Sequence, residues 1–294
     1  MQGPGAAAPR VISLLTDYGL ADGFVGALHS VLRARLPLVP IIDLTHEVRP
    51  QDVRAGSLAL ERAAPYLAEG VVIAIVDPGV GTRRRAMAVR AASADVMFVG
   101  PDNGLIPPAL DVLGGPDMAV ELDNPAYWLA APGPTFAGRD IFAPAAAYLA
   151  SGGDPEALGH RVDVGTLVRL PLPQCRVKGG SLAVEVTWVD RYGNVQLGAS
   201  PQVLHGWASH SVTRAGREAG GAGGPPRPGH PEAPAASWPA RVVHTFADLA
   251  PGELGVLVDS YGSLALCLNG ASAAERLGTH EQDILWLTPA EKTG

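Results

Sequence analysis

The sequence predicts an α/β protein with an N-terminal domain on a mainly parallel sheet, spanning residues 1–165, and a smaller antiparallel β domain over residues 166–294. Three observations predict it. Short apolar runs alternate with helix-spaced segments as far as about Ser151, the pattern of a parallel sheet covered by helices on both faces. Beyond about residue 166 the apolar residues alternate at period two instead. Four of the early runs also close on an acid and a turn residue, which puts carboxylates at strand ends, where open α/β sheets bind ligands.

Residues 1–10 are rich in Gly, Ala and Pro and are expected to be disordered. Val11 to Leu15 reads as a strand ending on Thr16-Asp17-Tyr18-Gly19. Asp22 to Leu36 carries Phe24, Val25, Leu28, Val31 and Leu32 at helical spacing until Pro37 stops it. Ile41-Ile42 begins a second strand, closed by Asp43-Leu44-Thr45-His46. Asp52 to Leu67 reads as a helix with Ala55, Leu58, Ala59 and Ala63 on its apolar face. Val71 to Val76 is a buried strand that stops on Asp77-Pro78-Gly79-Val80-Gly81-Thr82 and is followed by Arg83, Arg84 and Arg85. A strand near Met87 to Val89 precedes Met97 to Val99, which ends on Gly100-Pro101-Asp102-Asn103-Gly104. Ile141 to Leu149 is a helix tucked under the sheet, ended by Ser151-Gly152-Gly153. Four strand ends of this kind point to one polar cleft, with Asp77 as its leading residue.

In the second half, Leu182 to Asp190, Gly255 to Asp259 and Ser263 to Leu268 alternate as half-buried strands. Residues 215–240 between them are dense in Gly, Pro and Ala, too poor in apolar surface to offset chain entropy, and are expected to form a flexible surface insertion.

Composition narrows the function. The 294 residues are 47% hydrophobic and 17% charged, enough for one large or two modest cores. A net charge of -7 disfavours nucleic acid and anionic membranes as partners. No apolar run approaches the roughly 20 residues of a membrane span, and the start lacks the pattern of a signal peptide, so a cytoplasmic location is expected. Cys175 and Cys267 lie far apart without metal-ligand spacing and read as core thiols.

Two polar clusters remain: Thr135-Phe136-Ala137-Gly138-Arg139-Asp140 at the start of the third helix, and Asp190-Arg191-Tyr192-Gly193-Asn194 after the first β-domain strand. The second is also good hairpin-turn chemistry. Read without further context, Arg83 to Arg85 is a solvated basic run, and Asp17, Asp22, Asp43, His46, Asp77 and Asp102 are hard ligands that a magnesium- or manganese-dependent hydrolase could use.

In order along the chain, LLTDYG (Leu14 to Gly19), DLTH (Asp43 to His46), VDPGVGT (Val76 to Thr82), GPDNGL (Gly100 to Leu105), TFAGRDIFAP (Thr135 to Pro144), VDRYGNVQ (Val189 to Gln196) and DSYGSL with LNG (Asp259 to Gly270) resemble one family. It is the adenosine-forming S-adenosylmethionine (SAM) hydrolases, or SAM hydroxide adenosyltransferases, of the superfamily that includes SAM-dependent halogenases. The resemblance implies a barrel-like C-terminal domain and a homotrimer, with SAM held between the N-terminal domain of one subunit and the C-terminal domain of its neighbour. It implies attack of water or hydroxide at the ribose 5′-carbon with methionine leaving. It further implies that SAM is the substrate and that neither cofactor nor metal is required.

By motif position, the resemblance implies that Asp77 and Arg84 form the water site and that Asp17 holds the ribose hydroxyls. It further implies that Asp190, Tyr192, Asn194, Ser260, Tyr261, Leu268 and Asn269 contact the rest of SAM. It suggests the (R)-epimer as the molecule consumed. A carboxylate at Asp77 would repel a halide, and the chain lacks the extra loop of fluorinases between the strands near Met87 and Met97. One departure stands out: family hydrolases usually carry a histidine where this chain has Ala137. A chlorinase-like halogenase and a non-catalytic SAM-binding protein are the alternatives this leaves.

Overall fold

A computed structural model describes residues 10–205, 209–214 and 237–289, which fall into two units divided between Leu170 and Pro171. The elements of the first unit are β1 (Val11–Thr16), α1 (Phe24–Arg35), β2 (Ile41–Thr45), α2 (Val53–Ala63), β3 (Gly70–Ile75), β4 (Ala86–Ala91), β5 (Val96–Pro101), α3 (Pro107–Val112), β6 (Pro116–Glu121), α4 (Ala143–Ala150) and β7 (Arg161–Val162). They form a seven-stranded sheet in the order β2-β1-β3-β5-β4-β6-β7. The β2-β1-β3-β5 run is parallel, while β4 and β7 oppose their neighbours, so the sheet is mostly parallel as expected.

The central strands β3 and β5 are buried along their whole length, which is why they read as unbroken apolar runs rather than alternating ones. On one face, Leu28 and Leu32 of α1 and Phe142, Ala143 and Ala146 around α4 pack with Ile12, Leu14, Ile73 and Val99. Helices α2 and α3 pack against each other and do not contribute to that cluster.

The apolar face expected for α2 needs correction. Its buried residues are Ala55, Gly56, Ser57 and Leu60, and Leu58, Ala59 and Ala63 are only partly covered. The cause is Gly56: a Cβ there would lie 2.8 Å from Val76 Cγ2 and 2.9 Å from Leu105 Cδ1. Without a side chain at that point the helix can lie close to the sheet, and the residues flanking Gly56 turn inward with it. Asp52 starts the helix, accepting the Ala55 amide at 2.9 Å. Arg10, expected in the disordered start, pairs with Asp95 at 2.7 Å; residues 1–9 lie outside the described residues.

The second unit contains β8 (Cys175–Lys178), β9 (Ser181–Val189), β10 (Val195–Leu197), β11 (Ser209–Arg214), β12 (Ser237–Val242), β13 (Leu254–Val258), β14 (Leu264–Leu268), α5 (Ala273–Leu277) and β15 (Ile284–Pro289). Its strand order is β10-β14-β13-β12-β11-β15-β9-β8, and an added β9–β10 pairing joins the run to itself in a barrel-like curl. Every pairing is antiparallel except β12–β13. Alternate residues such as Val184, Val186, Val256, Leu266, Leu285 and Leu287 fill its core.

Two expectations change here. Residues 237–240, placed in the flexible insertion, belong to β12, where the apolar Trp238 and Ala240 pack on the core; residues 215–236 lie outside the described residues. Cys267 is a core thiol whose pKa burial pushes up to about 11, but Cys175 is exposed, because β8 pairs only with β9 at the sheet edge.

Candidate active site

Asp77 lies two residues beyond the end of β3, and the loop after it folds back through two tight turns, with Val80 N donating to Asp77 O at 3.2 Å and Thr82 N to Gly79 O at 3.1 Å. Gly81 takes φ +77°, which a glycine adopts without strain. The loop thereby returns Arg84 onto Asp77. Arg84 Nε donates to both carboxylate oxygens at 3.0 Å, and Nη2 also donates to Oδ2. The pair is enclosed, with side chains 6% (Asp77) and 13% (Arg84) exposed, and the guanidinium lies 5.2 Å from the centre of the Phe142 ring. A charged pair walled by apolar surface has stronger electrostatics than the same pair in water.

Arg85 goes elsewhere. Successive residues of an extended chain point to opposite sides, and Arg85 pairs with Asp102, its cross-strand neighbour beyond β4 and β5, at 2.8 Å from Nε. Arg85 also holds Thr166 through Oγ1 at 3.0 Å and the carbonyl at 2.7 Å, while Asp102 Oδ1 accepts the Val168 amide at 2.9 Å. The basic run is therefore not solvated in the way a bare charge run suggests, and Asp102 fastens the segment 166–168. Asp43 is likewise engaged, with His29 at 2.9 Å. Asp102 and Asp43 are thus each held by partners of their own, and the hard-ligand set read from the sequence does not assemble. Among the described residues, the one converging group of metal-ligand types is His29, Asp43 and His46; sequence spacing gave no signal for His29.

Asp17 follows β1 and accepts the Gln51 amide on Oδ2 at 2.7 Å. Gln51 is held at φ +65° to present that amide. Next to it, Tyr18 packs on Phe24 and Phe136, with ring centroids 5.6 Å and 5.7 Å away. Burial raises the Tyr18 phenol well above its ordinary range; the charges of Asp17 and Asp77 add to this, and Arg84 opposes it. Tyr18 is therefore a neutral hydroxyl within the electrostatic reach of Asp77 and Arg84, a site neighbour that the sequence reading missed although it lies inside the LLTDYG motif. Ala137 is buried in the core at 9% exposure, just before a π-helical turn at Gly138–Phe142 that leads into α4. A Cβ at Gly138 would lie 2.5 Å from the Tyr18 hydroxyl, so this motif and Tyr18 are packed closely.

In the second unit, the structure resolves the Asp190 cluster into a turn between β9 and β10. Asp190 Oδ1 accepts the amides of Tyr192 and Asn194 at 2.8 and 2.9 Å, and Oδ2 accepts Asn194 Nδ2 at 2.7 Å. Asp259 does the same between β13 and β14, accepting the amides of Tyr261 and Ser263 at 2.9 Å each. The two segments are one device used twice: Asp, a variable residue, Tyr, a left-handed Gly, then Asn or Ser. Gly193 and Gly262 stand at φ +82° and +77°, and Tyr192 and Tyr261 are exposed. Ser260 is also exposed; Leu268 ends β14 in the core, and Asn269 Nδ2 donates to the Leu249 carbonyl at 2.9 Å. Asp190 and Asn194 are thus brought together by their own turn, which the sequence left open between turn and ligand contact.

Comparison with known proteins agrees with the motif series. Residues 12–159 match the SAM hydroxide adenosyltransferase N-terminal domain and residues 184–286 the corresponding C-terminal domain. An (R)-S-adenosyl-L-methionine hydrolase of Salinispora tropica is 47% identical over 94% of this chain and 97% of that protein. One of Thermus thermophilus is 40% identical over 92% and 97%. A fluorinase of Actinoplanes sp. is 26% identical over 90% and 92%. The crystal structure of an uncharacterized conserved protein from Thermotoga maritima superposes with a TM-score of 0.80 at 32% identity, covering 95% of this chain and 100% of that one.

Proposed function

The chain belongs to the SAM hydroxide adenosyltransferase family, and from that premise we propose that it hydrolyses (R)-S-adenosyl-L-methionine to adenosine and L-methionine, with Asp77 and Arg84 as the water site. The observation that carries the assignment is the enclosed Asp77–Arg84 pair at the carboxyl end of β3. A carboxylate offers about four lone-pair directions, so Asp77 can accept a water while gripped by Arg84. Asp77 orients that water toward the ribose 5′-carbon and takes its proton, and Arg84 stabilises the hydroxide character that develops. The sulfonium leaves as neutral methionine, so the leaving group needs no proton and the reaction no metal. The protein's contributions are in-line positioning and a limited supply of water, to which Phe142 under Arg84 adds an apolar wall.

In this reading Asp17, anchored by the Gln51 amide, accepts the ribose 2′- and 3′-hydroxyls. The turn shaped by Asp190 presents Asn194 and Tyr192 to SAM, the matching turn presents Ser260 and Tyr261, and the backbone at Leu268 and Asn269 meets the adenine edge. Placing a carboxylate where a halide would have to sit opposes halogenation, and the hydrolases above are far more similar to this chain than the fluorinase. The assembly we propose is a homotrimer, which the solution mass checks. A cytoplasmic location fits the composition; among the described residues no helix is long and apolar enough to cross a membrane.

Incubating the protein with mixed SAM epimers, chloride and EDTA tests the reading. Adenosine and methionine formed at the expense of the (R)-epimer support it. Chlorodeoxyadenosine, or SAM that stays bound and unchanged, would overturn it.

A further inference from the structure

His29 Nε2 lies 2.9 Å from Asp43 Oδ1, and His46 Nε2 lies 3.1 Å from the same oxygen. In a regular strand, residues three apart point to opposite faces. Here the β1–β2 register shifts, with Leu14 opposite Asp43 but Leu15 opposite Thr45, so Leu44 is an extra residue. That bulge returns Asp43 and His46 to one side, where His29 of α1 meets them. All three donor atoms lie within 4.8 Å of one another.

A second observation points to a ligand. The His46 side chain is only 4% exposed, its Nδ1 is held by Thr16 Oγ1 at 2.9 Å, and its Nε2 faces Asp43 Oδ1 at 3.1 Å without forming a well-directed hydrogen bond. A buried ring fixed from behind, with its other nitrogen aimed at a carboxylate and a second histidine, is how a metal-binding histidine is prepared. We infer that His29, Asp43 and His46 bind a first-row divalent transition ion, with Zn2+ the best match to two imidazoles and one carboxylate. Bonds of about 2.0–2.2 Å at tetrahedral or octahedral angles put neighbouring donors roughly 2.8–3.6 Å apart; both histidine nitrogens stand at that spacing from Asp43 Oδ1, 2.9 and 3.1 Å away, and lie within 4.8 Å of each other. Asp43 and His29, at 43% and 33% exposure, leave room for water to complete the shell and for the ion to enter.

The ion does not meet the reacting atoms. It braces the loop that carries Asp17, since Thr16 touches His46 and Gly19 N donates to His46 O at 2.8 Å. This inference is independent of the SAM reading, because its test does not use turnover. Metal-free protein lacking a polyhistidine tag is titrated with Co2+, following the visible ligand-field absorption, and then with Zn2+ in competition. The expected result is a saturable one-to-one absorption that Zn2+ displaces, weakened at least tenfold by the exposed-site variants His29→Ala and Asp43→Asn, and unchanged in Asp77→Ala. Absence of saturable binding in the unmodified protein, or equal binding in His29→Ala, would leave a hydrogen-bonded His-Asp-His group without an ion and overturn the proposal.

Discussion

Arg84 donates from Nε to both carboxylate oxygens of Asp77 at 3.0 Å, while the next residue, Arg85, makes an equally intimate pair with Asp102. Adjacent arginines on an extended chain thus serve opposite sides, one pair within the loop after β3 and the other across β4 and β5. The first pair borders the proposed water site. The second fastens residues 166–168.

Separate roles give separable phenotypes. Asp77→Ala is expected to lower kcat on the order of 100- to 10,000-fold while SAM affinity changes little. Asp17→Ala weakens affinity itself. Asp102→Ala lowers stability by at most about 3 kcal/mol, since Arg85 keeps partial access to water, and leaves kcat per folded molecule near its original value. Calorimetric SAM binding beside urea melts reads all three; a kcat loss in Asp102→Ala matching that in Asp77→Ala would merge the two pairs into one site.

One substitution should have opposite signs at two helix glycines. At Gly26 on α1 a Cβ would meet nothing within 4 Å, so Gly26→Ala should stabilise by roughly 0.5–1 kcal/mol. At Gly56 the new Cβ would clash with Val76 and Leu105, so Gly56→Ala should destabilise by about 1–3 kcal/mol. Urea midpoints at constant m-value check both.

Tyr18 sets an alkaline limit. Its folded pKa is raised by burial and by Asp17 and Asp77, so the neutral phenol favours the folded state. That contribution is complete below the ordinary tyrosine value near pH 10 and is lost as pH rises beyond it. Stability measured upward from pH 9 should fall more steeply in the natural protein than in Tyr18→Phe. Parallel curves would place the alkaline loss elsewhere.

The motif resemblance implies that Ala137 stands where hydrolases of this family usually carry a histidine. Ala137→His is expected to raise kcat, at a stability cost of roughly 1–3 kcal/mol for enlarging a residue in a packed core. A stable variant with unchanged kcat would mean that Asp77 and Arg84 suffice.

Much of this was legible in the sequence. The acid-terminated strands and the period-two second half are local patterns, and local patterns survive in sequence; Arg84 was tied to Asp77 only through the family resemblance, since Arg83 to Arg85 alone read as a solvated run. What was hidden depends on contacts. The inward face of α2 is set by the space beneath Gly56, not by apolar spacing. The partner of each arginine is set by strand pairing, and the meeting of His29 with Asp43 and His46 by a single-residue bulge. Cys175 read as a core residue because nothing in its neighbours marks β8 as an edge strand.

If Asp77 and Arg84 direct water onto the ribose 5′-carbon, oxygen from water becomes the 5′-hydroxyl of adenosine. Turnover of (R)-SAM in 18O-labelled water, with EDTA present, tests it by mass spectrometry of both products. The expected result is one 18O atom in adenosine and none in methionine. Formation of methylthioadenosine with the label in a homoserine product would place the attack on the methionine chain and contradict the assignment of Asp77 and Arg84.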